Sequence, residues 1–94
     1  MKVDKIKAYV GFAIKSKSIL FGLDKIKEKK VEIIIFSEQL SKSSTIDLRK
    51  IAEKNDCKCI EIKNEEMLTL VGSEKVKAFA IQNKELAKAI ESNI

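Results

Sequence analysis

The chain contains no histidine and no proline, two cysteines, a single arginine (Arg49) and five aromatic residues. Each shortage excludes something. Without histidine the commonest general base is missing, and no G-x-G-x-x-G, G-x-x-x-x-G-K-[ST] or G-x-S-x-G motif is present. The pair Glu65-Glu66 reads as two partners of a helix N-terminus rather than an acid/base couple, because adjacent helix residues face different ways. We therefore expect no catalytic residues and no enzyme. Cys57 and Cys59 fall on one face of an expected strand, yet with no histidine and no third cysteine a zinc site would lack two ligands. They read as core thiols in a reducing compartment, with a metal or redox pair as the other reading. No metal or cofactor is expected.

The lack of proline, with 45% apolar and 35% charged residues, describes short regular elements joined by tight turns. Ninety-four residues suit one domain, 1–94. No apolar run approaches the roughly 20 residues of a membrane span, and Met1-Lys2-Val3-Asp4 opens a mixed-charge helix rather than a signal peptide. The expectation is a cytoplasmic protein with no membrane partner. Tyr9, Phe12, Phe36 and Phe79 all fall at expected core positions, which leaves no aromatic platform for stacking bases.

What the chain does have is Val31-Glu32-Ile33-Ile34-Ile35-Phe36, a β-branched run of the kind found in a strand covered on both faces. Before it, Val3 to Lys15 has helical apolar spacing through Val3, Ile6, Val10 and Ala13. Gly11 within that helix costs about 1 kcal/mol against alanine and suggests a close backbone neighbour. Ile19-Leu20-Phe21 reads as an edge strand, and Leu23 to Lys29 as about two helical turns. After the run, Ser44 with Asp47 predicts a capping box for a helix that buries Leu48, Ile51 and Ala52. A strand from Cys57 to Ile62 follows. Next comes a helix capped by Asn64, with Met67, Leu68, Leu70 and Val71 inward and Gly72 as its left-handed stop. Lys75 to Ile81 is a strand, and Asn83 caps a last helix burying Leu86, Ala87 and Ile90. This alternation predicts a three-layer α/β/α sandwich with a four-stranded mixed or mostly parallel sheet.

The net charge is +5 and the pI about 9.2. Lysine point charges suit phosphate backbones better than base edges. Lys15 and Lys17, with Lys25, Lys27, Lys29 and Lys30, flank the short elements, and a helix starting just after Gly22 would offer free N–H groups on the same edge.

Several stretches, in order, resemble the kink-turn-binding ribosomal protein superfamily: archaeal large-subunit protein seven-Ae, eukaryotic large-subunit protein thirty and the small bacterial YlxQ-type homologues. Val10-Gly11-Phe12-Ala13-Ile14-Lys15 through Gly22 is similar to an L-G-L-A-x-x-A-G-K-x-x-x-G pattern. Ile35-Phe36-Ser37-Glu38-Gln39 stands where that family has a strand ending in A-E-D, and Ser41-Lys42-Ser43-Ser44 where it has S-x-N-T. Asn64-Glu65-Glu66-Met67-Leu68 through Gly72 is similar to K-E-E-L-G-x-x-x-G, and Ile81-Gln82-Asn83-Lys84 through Ile90 to I-T-D-K-x-x-A-K-x-I.

The resemblance, which covers about Val10 to Ile90, implies a non-catalytic, ribosome-associated monomer that binds structured RNA at one end of its sheet. Its G-x-N-E-x-x-K motif falls on Gly22-Leu23-Asp24-Lys25-Ile26-Lys27-Glu28. Gly22 is kept, while Asp24, Lys25 and Glu28 replace the amide, acid and lysine, and roughly four residues are missing before the central strand. The family's second contact loop falls on Ile62-Lys63-Asn64-Glu65, where Ile62 suits covering a base and Lys63 a phosphate. The expected RNA-binding residues are thus Gly22, Asp24, Lys25, Lys27, Ile62, Lys63 and Asn64. Ribosome-associated proteins are further expected partners. The alternative is a protein-interaction module that kept the fold and lost kink-turn recognition.

Overall fold

A computed structural model describes all residues, Met1–Ile94. Helices and strands alternate as α1 (Val3–Lys15), β1 (Ile19–Phe21), α2 (Leu23–Ile26), β2 (Ile33–Ser37), α3 (Lys42–Lys54), β3 (Lys58–Ile62), α4 (Asn64–Val71), β4 (Ala78–Ile81) and α5 (Lys84–Ser92). The strands form one mixed sheet in the order β1-β4-β2-β3. β2 and β3 run parallel, while β4 is antiparallel to β1 and β2.

Alternation along β2 sets the layers. Ile33 and Ile35 pack with Ile6, Val10 and Ala13 of α1, Met67 and Leu70 of α4, and Ala87 and Ile90 of α5. Ile34 and Phe36 face the other way, onto Ile26 of α2 and Leu48 and Ala52 of α3. Every residue of β2 and β4 is buried, which is why the β2 run shows no polar alternation. The result is a three-layer α/β/α sandwich. On the α2–α3 side β4 presents only Ala78 and Ala80, and small side chains let those helices lie close to the sheet.

Some expectations need correction. The β2 ladder starts at Ile33, because the Val31 N–H goes to Asn55 Oδ1 (3.2 Å) instead of to a strand. α2 is a single turn ending at Ile26, not two. α3 is capped by Ser41, whose Oγ accepts the Ser44 N–H at 3.2 Å, so Ser44 lies inside the helix. β3 starts at Lys58, one residue after Cys57, and β4 spans only Ala78–Ile81, since beyond the Ser37 N–H to Lys77 O bond the chains part. Phe12 is 58% and Leu68 37% exposed. Both lie on their helices away from the Val10–Ala13 and Met67–Leu70 stripes, so neither joins the core. Beyond its chain neighbours and the backbone of its own helix, no heavy atom lies within 4 Å of a Cβ built at Gly11, so no packed neighbour explains that glycine. No helix is long and apolar enough to cross a membrane.

Candidate nucleic-acid interface

The register gathers four chain ends at one edge of the sandwich. β1 ends at Phe21, opposite Phe79; β2 ends at Ser37, opposite Ile62; and Phe36 pairs with Ala78 at the start of β4. The Gly22 N–H donates to Ala78 O at 3.0 Å and the Ser37 N–H to Lys77 O at 2.8 Å, tying these ends together. Gly22 and Ile62 therefore share one end, about 14 Å apart across three strand spacings. Gly22 holds φ 86° and ψ 154°, a conformation open to glycine and strained for L side chains.

A polar network occupies the β2–β3 half of this end. Ser37 is fully buried, the one buried polar residue of the chain. Its Oγ accepts the Gln39 N–H (3.0 Å) and donates to Asn64 Oδ1 (2.8 Å). Lys77 Nζ donates to the same Oδ1 at 2.8 Å and to Gln39 Oε1 at 3.3 Å. Glu38 closes the network: its N–H donates to Ile62 O at 2.9 Å, and its Oε2 accepts the Asn64 N–H at 3.1 Å. Lysine can only donate, so the amide atom facing Lys77 Nζ is the oxygen, and the Asn64 amide orientation follows from chemistry. Its Oδ1 is saturated. Its NH2 group has no partner within the chain and is not a buried unsatisfied group, so it faces solvent.

The expected site residues divide accordingly. Lys63 is exposed at the N-cap of α4, where Glu66 Oε1 accepts its N–H at 3.0 Å; Asn64 is the first helical residue rather than the cap. Asp24 is 91% exposed at the side chain and pairs with Lys27 at 3.5 Å, on a surface where such a pair contributes little. Lys25 is exposed. Ile62, expected to cover a base, is only 6% exposed and belongs to the core beside α1 and α4, because its place on β3 turns it inward. Its contribution here is its carbonyl. The expected N-terminal phosphate site on α2 also weakens: one turn aligns too few peptide dipoles, and the Gly22 N–H is already taken.

Lys15 and Lys17 lie elsewhere. They precede β1, whose first residue Ile19 pairs with Ile81, so they sit at the opposite end from Gly22. Arg49 is occupied above the Phe36 ring, 5.3 Å from its centroid. Burial pushes the Cys57 thiol up to about 11, with further contributions from Cys59, Glu32 and Asp56. Burial also raises Cys59, against an opposing effect of Arg49. Neutral thiols are poor nucleophiles and poor metal ligands.

Ser37, Gln39 and Lys77 were not singled out from the sequence as site residues. The available signal was a serine closing an otherwise apolar run.

No protein-family model matches the chain, and no curated protein matches it. A solved structure of a protein with unknown function from Bacillus halodurans C is similar to it, with a TM-score of 0.76 and 11% identity over 94% of each chain. That likeness is one of fold, and it extends over most of both chains.

Proposed function

We propose that this protein is a cytoplasmic, non-catalytic RNA-binding module of the kink-turn-binding, ribosome-associated type, and that structured RNA meets it at the end holding Gly22, Lys25, Lys63 and Asn64. The supporting observation is the locked Asn64 amide, whose NH2 is offered outward by two donors on its oxygen. A fixed donor matches base and phosphate oxygens, and Lys63 beside it supplies charge. The family resemblance named this loop, and the bonds to Ser37 and Lys77 give it a rigid geometry.

Asn64→Asp is the direct test. Aspartate keeps an acceptor for Ser37 and Lys77, so the unfolding midpoint should hold, but it replaces the outward NH2 with a carboxylate oxygen. Affinity for a kink-turn RNA should fall about tenfold or more. Unchanged affinity with unchanged folding removes this end from the interface. A second reading, a protein-interaction module, is favoured by the exposed Phe12 and Leu68. It predicts a protein partner bound with little salt dependence.

A further inference from the structure

The lysines of the α2–β2 connection have a setting of their own. Ile26 and Val31 are fully buried, and between them Lys27, Lys29 and Lys30 are exposed to solvent. The Val31 N–H donates to Asn55 Oδ1, and Asn55 Nδ2 donates to Ile51 O at 2.8 Å, which pins this loop to the end of α3. Lys50 and Lys54 stand one helical turn apart on α3, about 6 Å along its axis. Two adjoining hollows follow the seam between α2 and α3, of about 460 and 280 Å³; Lys27 and Ile51 line both.

The five lysines along this seam face three carboxylates, Asp24, Glu28 and Asp47, and a single ion pair forms, Lys27 with Asp24. The lysines are not needed to cap α3. The Ile51, Ala52 and Glu53 carbonyls accept N–H bonds from Asn55, Cys57 and Asp56. Lys77 is the one lysine in the chain whose ammonium makes a side-chain hydrogen bond, so apart from Lys27, paired with Asp24, the seam ammonium groups of Lys29, Lys30, Lys50 and Lys54 have their donors free. A pinned loop carrying the unpaired Lys29 and Lys30 beside Lys50 and Lys54 on α3 is arranged to attract a line of phosphates.

We infer that the α2–α3 seam is a second, sequence-independent contact for the RNA backbone, through Lys29, Lys30, Lys50 and Lys54. The RNA then runs along α2 from the Gly22 end to the Lys30 end, with affinity supplied by the seam and orientation by Asn64. This inference rests on the RNA-binding reading.

The test compares the full chain with the triple variant Lys29→Gln, Lys30→Gln, Lys54→Gln and, separately, with Asn64→Asp. Each is titrated against a kink-turn RNA and a straight duplex of equal length at several salt concentrations. The triple variant should weaken both RNAs alike, by about tenfold or more, and lower the salt slope by about 2 to 3. Asn64→Asp should affect the kink-turn RNA and leave the slope in place. If the triple variant binds both RNAs as the full chain does, the seam is not a contact, while a loss in Asn64→Asp would keep the end-on reading. If only the triple variant loses binding, the seam stands and the Asn64 end falls. If the unaltered chain binds neither RNA at low salt, both are overturned.

Discussion

The Asn64 end and the lysine seam employ their polar groups in opposite ways. At the Asn64 end, Ser37, Glu38, Gln39, Asn64 and Lys77 bond to one another, so their positions are set by the fold and few donors remain for a partner. Along the seam the ammonium groups, the Lys27–Asp24 pair apart, bond to nothing in the chain, and only the backbone beneath them is fixed. Bonded groups are costly to move and therefore define geometry; free charges are mobile and therefore define attraction. Net charge alone would not have separated the two. The +5 of the whole chain describes neither region.

The comparison assumes that one rigid sheet supports both regions, and Phe36→Ala is the strongest way to break that assumption. Phe36 is 1% exposed and lies in the core beneath the seam, while Ser37 next to it anchors the Asn64 network. The substitution should cost about 3–5 kcal/mol by chemical denaturation. A single unfolding transition in the variant would show both regions resting on one unit; two separate transitions would divide them.

Ser37→Ala sharpens the contrast with a smaller change. It removes the bonds to Asn64 Oδ1 and from the Gln39 N–H while leaving the seam untouched. The expected cost is about 1–3 kcal/mol. On the proposed RNA-binding function, discrimination between kink-turn and straight RNA should narrow while the salt slope persists; a changed slope would mean that the two regions are not independent.

The smallest effect concerns the thiols, which pack against the seam side of the sheet. Cys57 is raised from an ordinary value of 9.0 to about 11 by burial first, then by Cys59, Glu32 and Asp56. A raised folded-state value favours the neutral thiol, so this contribution is complete below pH 9 and is lost as pH climbs toward about 11. Unfolding midpoints should therefore decline over that window, and less steeply in Cys57→Ala. An identical decline in both proteins would remove Cys57 as its source.

The layers were legible in the sequence because they depend on periodicity. Val3–Lys15, the Gly72 stop at φ 72° and the Asn83 cap, which accepts the Leu86 N–H, follow from local spacing and local chemistry. Where local signals competed, the sequence was ambiguous: Ser41, Ser43 and Ser44 are all competent caps, and only the path from β2 selects Ser41. Phe12 shows a different limit, since hydrophobicity does not state direction and Phe12 lies about 100° around α1 from Ala13. The Asn64 network was beyond reach for a third reason. Ser37 and Asn64 are 27 positions apart, and Lys77 a further 13; only the register of β2, β3 and β4 brings them together. The lysines were visible as a group, but their division between two ends follows from strand direction.

Gly22 carries one more consequence. A Cβ built there meets nothing within 4 Å, yet the backbone stands at φ 86°. The restriction at this position is therefore one of handedness and not of room. Mirror-image geometry reverses both φ and ψ, so a D-alanine introduced by chemical synthesis would lie at the border of its own extended region and be less strained than L-alanine. The turn that opens α2 is thus written in chirality, and its side-chain space remains empty.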